Sequence, residues 1–140
     1  MTSSCSFDAV RTTVIVADDD QDLRALVSET LRSDGYTVIE AGDGEELLSV
    51  LCNTLDDPVT CPDVILADVL MPKLSGLGVL EHLRRAQVRL PILMMTGFAP
   101  NLVAPVAKRL GAIGVIKKPF AVDDLRAALL NVRRRPRVPV

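Results

Sequence analysis

The sequence predicts an α/β fold: a doubly wound, five-stranded parallel sheet with helices on both faces. Three observations lead there. Short apolar runs rich in β-branched residues alternate five times with segments whose apolar residues recur at helical spacing. The runs are apolar at almost every position, as strands covered on both faces require. Of the 140 residues, 49% are hydrophobic and only 3% aromatic, which suits one domain with an aliphatic core. Right-handed crossovers between parallel strands are the economical way to bury such a pattern.

Thr13–Ala17 (TVIVA) is the first strand. Gln21–Ser33 comes next as a helix, with Leu23, Leu26, Val27, Thr30 and Leu31 on one stripe. Asp34-Gly35 ends it, because glycine accepts the left-handed conformation that closes a helix. Residues 36–40 read as the second strand, Gly42-Asp43-Gly44 as a turn and residues 45–52 as the second helix. Residues 53–62 hold the breakers Asp56-Asp57-Pro58 and Cys61-Pro62 and read as a loop. Residues 63–68 form the third strand, 75–86 the third helix and 91–95 the fourth strand. The fourth helix is expected to start near Pro105, since proline suits a first turn, and to end at Gly111. Residues 113–116 are the fifth strand and 122–132 the last helix, with Leu125, Leu129 and Leu130 turned inward.

Residues 12–132 are thus expected to form the domain, with 1–11 a flexible N-terminus and 133–140 a basic, flexible tail. No run approaches the roughly 18 apolar residues of a membrane helix, and the start lacks a signal-peptide pattern. A cytoplasmic protein without a membrane partner is expected. Cys5, Cys52 and Cys61 form no CxxC pair, and one histidine argues against a four-ligand zinc site. The low aromatic content argues against a single-strand nucleic-acid platform, and nucleic acid is not expected as a partner. The formal charge of −2 hides a split. Residues 1–80 carry 4 Lys/Arg against 15 Asp/Glu, a balance of −11; residues 81–140 carry 12 against 3, a balance of +9.

In an open α/β sheet, ligands bind beyond the carboxyl ends of the strands. The first strand ends at Asp18, Asp19 and Asp20, the third at Asp68, the fourth at Thr96-Gly97 and the fifth at Lys117-Lys118-Pro119. Carboxylates, a hydroxyl and an ammonium therefore converge on one rim. Two carboxylates about 4 Å apart repel by roughly 1–4 kcal/mol, so such a cluster calls for a cation. All-oxygen ligation suits Mg2+. Once neutralised, an aspartate can attack phosphorus and form an acyl phosphate, with the lysine and hydroxyl binding the phosphoryl oxygens.

At these positions the chain resembles the response regulator receiver domain. Five markers occur in order: Val16-Ala-Asp-Asp-Asp20, Asp68-Val-Leu-Met-Pro72 with Gly76, Met95-Thr-Gly97, Gly111-Ala112 and Lys118-Pro-Phe120. The resemblance covers about residues 12–132 and implies a flavodoxin-like receiver fold of the stand-alone type. It implies that Asp68 is the phosphoacceptor, Thr96 the switch hydroxyl and Lys118 the phosphoryl-pairing lysine. It further implies that Asp18, Asp19, Asp68 and the Leu70 backbone carbonyl hold Mg2+. The implied partners are a histidine kinase or histidine phosphotransfer protein and an unidentified downstream protein target. Such a domain is not an enzyme, although it assists its own phosphorylation and dephosphorylation. Two departures stand out: Val115 replaces the family's Tyr or Phe three residues before the lysine, and the 53–62 loop is long.

Plainer roles compete at several positions. Asp20 or Asp22 suits a helix cap, Lys117 a solvated neighbour, His82 an exposed helix face, and Gly42-Asp43-Gly44 a simple turn. Arg133, Arg134, Arg135 and Arg137 suit a solvated terminus, or contact with an acidic partner or nucleic acid. An aspartate-nucleophile phosphatase or phosphotransferase is the enzymatic alternative, but Asp18 to Asp22 contains no threonine and the chain is short for a substrate cap. A phosphate-independent interaction domain is the other alternative, against which the complete set Asp18, Asp19, Asp68, Thr96 and Lys118 argues.

Overall fold

The computed structural model describes residues 12–132; the expectations for 1–11 and 133–140 lie outside them. Five strands, β1 (Thr13–Ala17), β2 (Thr37–Ala41), β3 (Val64–Asp68), β4 (Ile92–Thr96) and β5 (Gly114–Lys117), alternate with five helices. The helices are α1 (Gln21–Ser33), α2 (Gly44–Thr54), α3 (Gly76–Arg85), α4 (Pro100–Arg109) and α5 (Val122–Leu130). All pairings are parallel, in the order β2-β1-β3-β4-β5. The predicted doubly wound sheet is what forms.

Strand side chains alternate between two cores, which is why the strands are apolar throughout. Ile15, Ala17, Ile65, Ala67, Ile92 and Met94 face α2, α3 and α4, meeting Leu47, Leu51, Leu80 and Val103. Val14, Val16, Val64, Leu66, Leu93 and Met95 face α1 and α5, meeting Val27, Leu31, Leu125 and Leu129. Leu130 is exposed, contrary to expectation. The inward stripe of α5 is Leu125, Ala128 and Leu129, and the next residue lies about 100° around the helix. Leu26 is likewise exposed, the buried stripe of α1 being Val27, Ser28 and Leu31.

Caps set the helix starts. Asp20, Asp43 and Ser75 accept from the backbone N–H three residues on, each satisfying a donor that the first turn leaves orphaned. The expected start of α4 near Pro105 is wrong. α4 begins at Pro100, preceded by Ala99 in the left-handed region (φ 43°) with no side-chain cap, and Pro105 lies inside it. Pro105 has no N–H to offer the Asn101 carbonyl four residues back, but both residues sit on the exposed face, where water reaches the orphan.

Candidate functional site

Register builds the site. Ala17 pairs with Ala67, so Asp18 and Asp68 emerge side by side at the carboxyl ends of the two central strands. Asp18 is held through its backbone: its N–H donates to the Ala41 carbonyl, and its carbonyl accepts from Arg24 Nη1 at 2.7 Å. Asp18 Oδ1 accepts from the Asp20 N–H at 2.9 Å, which aims Oδ2 across the rim. Asp68 is fixed from below by α3. A Cβ at Gly76 would collide with the Asp68 carbonyl, so only glycine allows this helix so close to the strand end.

Lys118 Nζ donates to Asp18 Oδ2 at 2.8 Å and to Asp68 Oδ2 at 2.9 Å, bridging residues 100 and 50 positions away in sequence. Its backbone N–H donates to the Thr96 carbonyl at 2.7 Å, which anchors the residue beyond the end of β5. Asp18 is 1% exposed and Asp68 7%, while Asp19 faces solvent. One carboxylate oxygen from each of Asp18, Asp19 and Asp68 lies within 4.8 Å of the others. Three carboxylates and one ammonium leave a charge near −2. With hard oxygen donors only, the set fits a small divalent cation such as Mg2+.

Burial pushes the Asp68 carboxyl above its ordinary range, the Asp18 charge adds to this, and the Lys118 hydrogen bond opposes it. Burial pulls Lys118 down, but its hydrogen bonds to Asp18 and Asp68 outweigh that and hold it above its ordinary value. The lysine therefore stays protonated, and Asp68 is the carboxylate with most to gain from a further cation.

Thr96 is 1% exposed at the end of β4, next to the site, but its hydroxyl is engaged elsewhere. Oγ1 donates to the Phe98 carbonyl at 2.8 Å and accepts from the Phe98 N–H at 3.0 Å. Asp18, Asp19, Asp68 and Lys118 are thus brought together, while the Thr96 hydroxyl serves its own turn. The Leu70 N–H donates to Asp68 Oδ1 at 3.3 Å, and the Leu70 side chain is exposed at the rim. Sequence reasoning passed over Arg24, which also pairs with Glu40 at 3.1 Å. α1 holds two arginines, Arg24 and Arg32, and both pair with Glu40 of β2, so nothing in the sequence singles out Arg24. Lys117 and His82 are exposed, and Val115 is half-buried on the α4 side of the sheet.

The response regulator receiver domain, as a sequence family, matches residues 14–130. The transcriptional regulatory protein CpxR of Escherichia coli is 35% identical over 122 residues, 87% of this chain and 49% of its own. The alkaline phosphatase synthesis transcriptional regulatory protein PhoP of Bacillus subtilis is 33% identical over 125 residues, 89% of this chain and 50% of its own. The chain spans about half the length of the curated relatives it matches. Among solved structures, the chemotaxis response regulator CheY4 of Vibrio cholerae superposes with a TM-score of 0.78 at 32% identity, covering 89% of this chain and all of that one. The expectation against nucleic acid finds no support here, because these relatives are named as transcriptional regulators. No helix among the described residues is long and apolar enough to cross a membrane.

Proposed function

Because the chain belongs to the response regulator receiver domain family, we propose that it is a cytoplasmic phosphoacceptor module charged at Asp68 by a histidine kinase or histidine phosphotransfer protein. Residues 12–132 form the module, and its changed surface is read by a downstream protein target. The family is one of signalling modules rather than classical enzymes.

The observation that carries this reading is the Lys118 bridge between two buried carboxylates, with Asp19 beside them. An Asp68 oxygen attacks phosphorus in line. The P–N bond to the donor imidazole breaks, its electron pair stays on the imidazole, and Asp68 carries the phosphoryl group as an acyl phosphate. Lys118, already protonated, binds a phosphoryl oxygen without changing its charge. The Thr96 hydroxyl exchanges its bonds to Phe98 for one to a second phosphoryl oxygen. Asp18, Asp19, Asp68 and the Leu70 carbonyl would hold Mg2+, which neutralises charge between the carboxylates and the incoming phosphate.

The test is intact mass after incubation with Mg2+ and acetyl phosphate, where the P–O bond breaks and acetate leaves. The expected result is one phosphoryl adduct, absent without Mg2+ and absent in Asp68→Asn. Wild-type labelling of Asp68→Asn would remove Asp68 from this role.

The acyl phosphate is expected to be long-lived. Leu70 and Phe98 are 58% and 63% exposed beside the site, and neither side chain can orient an attacking water. Leu70→Asn and Phe98→Ala should each shorten the adduct's half-life severalfold, followed by mass after removal of the donor. Unchanged or longer half-lives would show that these side chains do not shield it.

A further inference from the structure

At the end of the sheet opposite the carboxylates, the charge on the β4–β5 side reverses. α3 and α4 run antiparallel to the strands and both end there, with basic last turns: His82, Arg84 and Arg85 in α3, Lys108 and Arg109 in α4. Arg84 ties the two ends together. Its Nε, Nη1 and Nη2 donate to the carbonyls of Leu110, Val88 and Gly111 at 2.8, 2.6 and 3.0 Å. Arg85, Arg89, Lys108 and Arg109 are exposed. Arg85 makes only a long 3.4 Å pair with Glu81 on its own helix, and among the described residues no carboxylate pairs with Arg89, Lys108 or Arg109.

The carboxylates at this end of the sheet belong to connections leading into β2 and β3. Asp34 is paired with Arg126, Asp63 is buried and accepts from the Thr13 N–H, and Asp57 accepts from the Val59 N–H. Asp56 is exposed on that same side.

An open concavity of about 720 Å3, lined by Arg84, Gln87, Arg89, Pro91, Gly111 and Ile113, occupies the basic side. Pro91 and Ile113 also line a neighbouring groove of about 520 Å3, which Asn131 and Val132 help to close. The chain therefore leaves the described domain at the lip of the basic surface, and its next residues in sequence are Arg133, Arg134, Arg135, Pro136 and Arg137.

We propose that this basic pole binds the phosphate backbone of duplex nucleic acid without reading sequence. Apart from His82 and Lys108, the basic groups of these described elements are arginines, whose planar fork matches phosphate oxygens two at a time. A duplex offers one charge per about 1.7 Å of axis, a density suited to several cations spread over two helix ends. Neither concavity is lined by an aromatic residue, so stacking on unpaired bases and aromatic anchoring at a membrane interface are both absent from the design. The pole is at the far end from Asp68, so binding there does not depend on the phosphoacceptor reading.

The test is fluorescence anisotropy of a labelled mixed-sequence DNA duplex titrated with the full chain at 50 and 200 mM salt. With about four phosphates neutralised, affinity should fall about a hundredfold between the two salt concentrations. The triple variant Arg89→Glu, Lys108→Glu, Arg109→Glu should weaken binding at least tenfold and flatten the salt dependence. An unchanged far-UV circular dichroism spectrum and urea unfolding midpoint serve as the folding control for the variant. Absence of binding at 50 mM salt would overturn the proposal, as would affinity that the triple reversal leaves unchanged. Equal binding to polyglutamate, or binding to phosphatidylserine vesicles but not to the duplex, would also overturn it, in favour of an acidic protein or a membrane surface.

Discussion

Replacing Lys118 by methionine is expected to abolish measurable phosphorylation and, without Mg2+, to destabilise the fold by about 3 kcal/mol, the scale of breaking a buried ion pair. Methionine keeps the apolar stem but leaves Asp18 and Asp68 facing each other with no ammonium between them. Asp68 is held above its ordinary range by burial and by Asp18, against the pull of Lys118. A carboxylate raised on folding costs stability while ionised and returns it as the pH falls through its folded value. Without Lys118 the opposing pull is gone. The variant's deficit is therefore largest near neutral pH and shrinks on acidification into that raised range. Mg2+ should restore part of the loss by stabilising the folded state alone. Urea unfolding at neutral and mildly acidic pH, with and without Mg2+, measures both effects. A variant as stable as wild type at neutral pH without Mg2+ would refute the electrostatic account.

Binding of Mg2+ with beryllofluoride, a phosphoryl mimic, is expected to shift amide resonances at the Asp68 rim and leave most of residues 97–118 nearly unmoved. Driving a two-state switch from 1:99 to 99:1 takes about 5.5 kcal/mol, which must come from groups with two distinct arrangements. Val115 offers none: it is branched at Cβ, stiff at χ1 and short. With Ala104, Ala112, Ile113 and Gly114 it borders an open groove of about 560 Å3 between α4 and β5, and no aromatic ring lines that groove to swing into it. Large shifts spreading through residues 97–118 would show that a full switch operates without an aromatic ring at this position.

The sheet and the acidic rim were legible because both rest on local patterns. Five apolar runs specify five strands, and in a parallel sheet the residues just after each run must gather at the same end. The start of α4 was not legible. Pro100 and Pro105 both suit a first helical turn, and the choice depends on Ala99 accepting a left-handed backbone and on the Asn101 carbonyl reaching water. The inward stripe of α5 was misjudged at Leu130, because two adjacent leucines cannot both face the core and composition does not say which one does. The hydroxyl of Thr96 was foreseen in place but not in orientation, since its bonds to Phe98 depend on a tight turn rather than on residue type. Arg24 escaped notice because the group it supports is a backbone carbonyl, which leaves no mark in sequence.

The two ends of α4 are held very unequally. At its C-terminal end Arg84 captures the Leu110 and Gly111 carbonyls, and Gly111 at φ 93° lets the guanidinium lie against the backbone. Its N-terminal end has no side-chain cap, and Pro105 leaves the Asn101 carbonyl orphaned. Fraying is therefore directional: the helix opens from Ala99 inward, and its amides lose protection from hydrogen exchange in that order. The first turn to open adjoins the Thr96–Phe98 hydrogen bonds, so the end of α4 nearest the acidic rim melts more readily than the end that Arg84 holds.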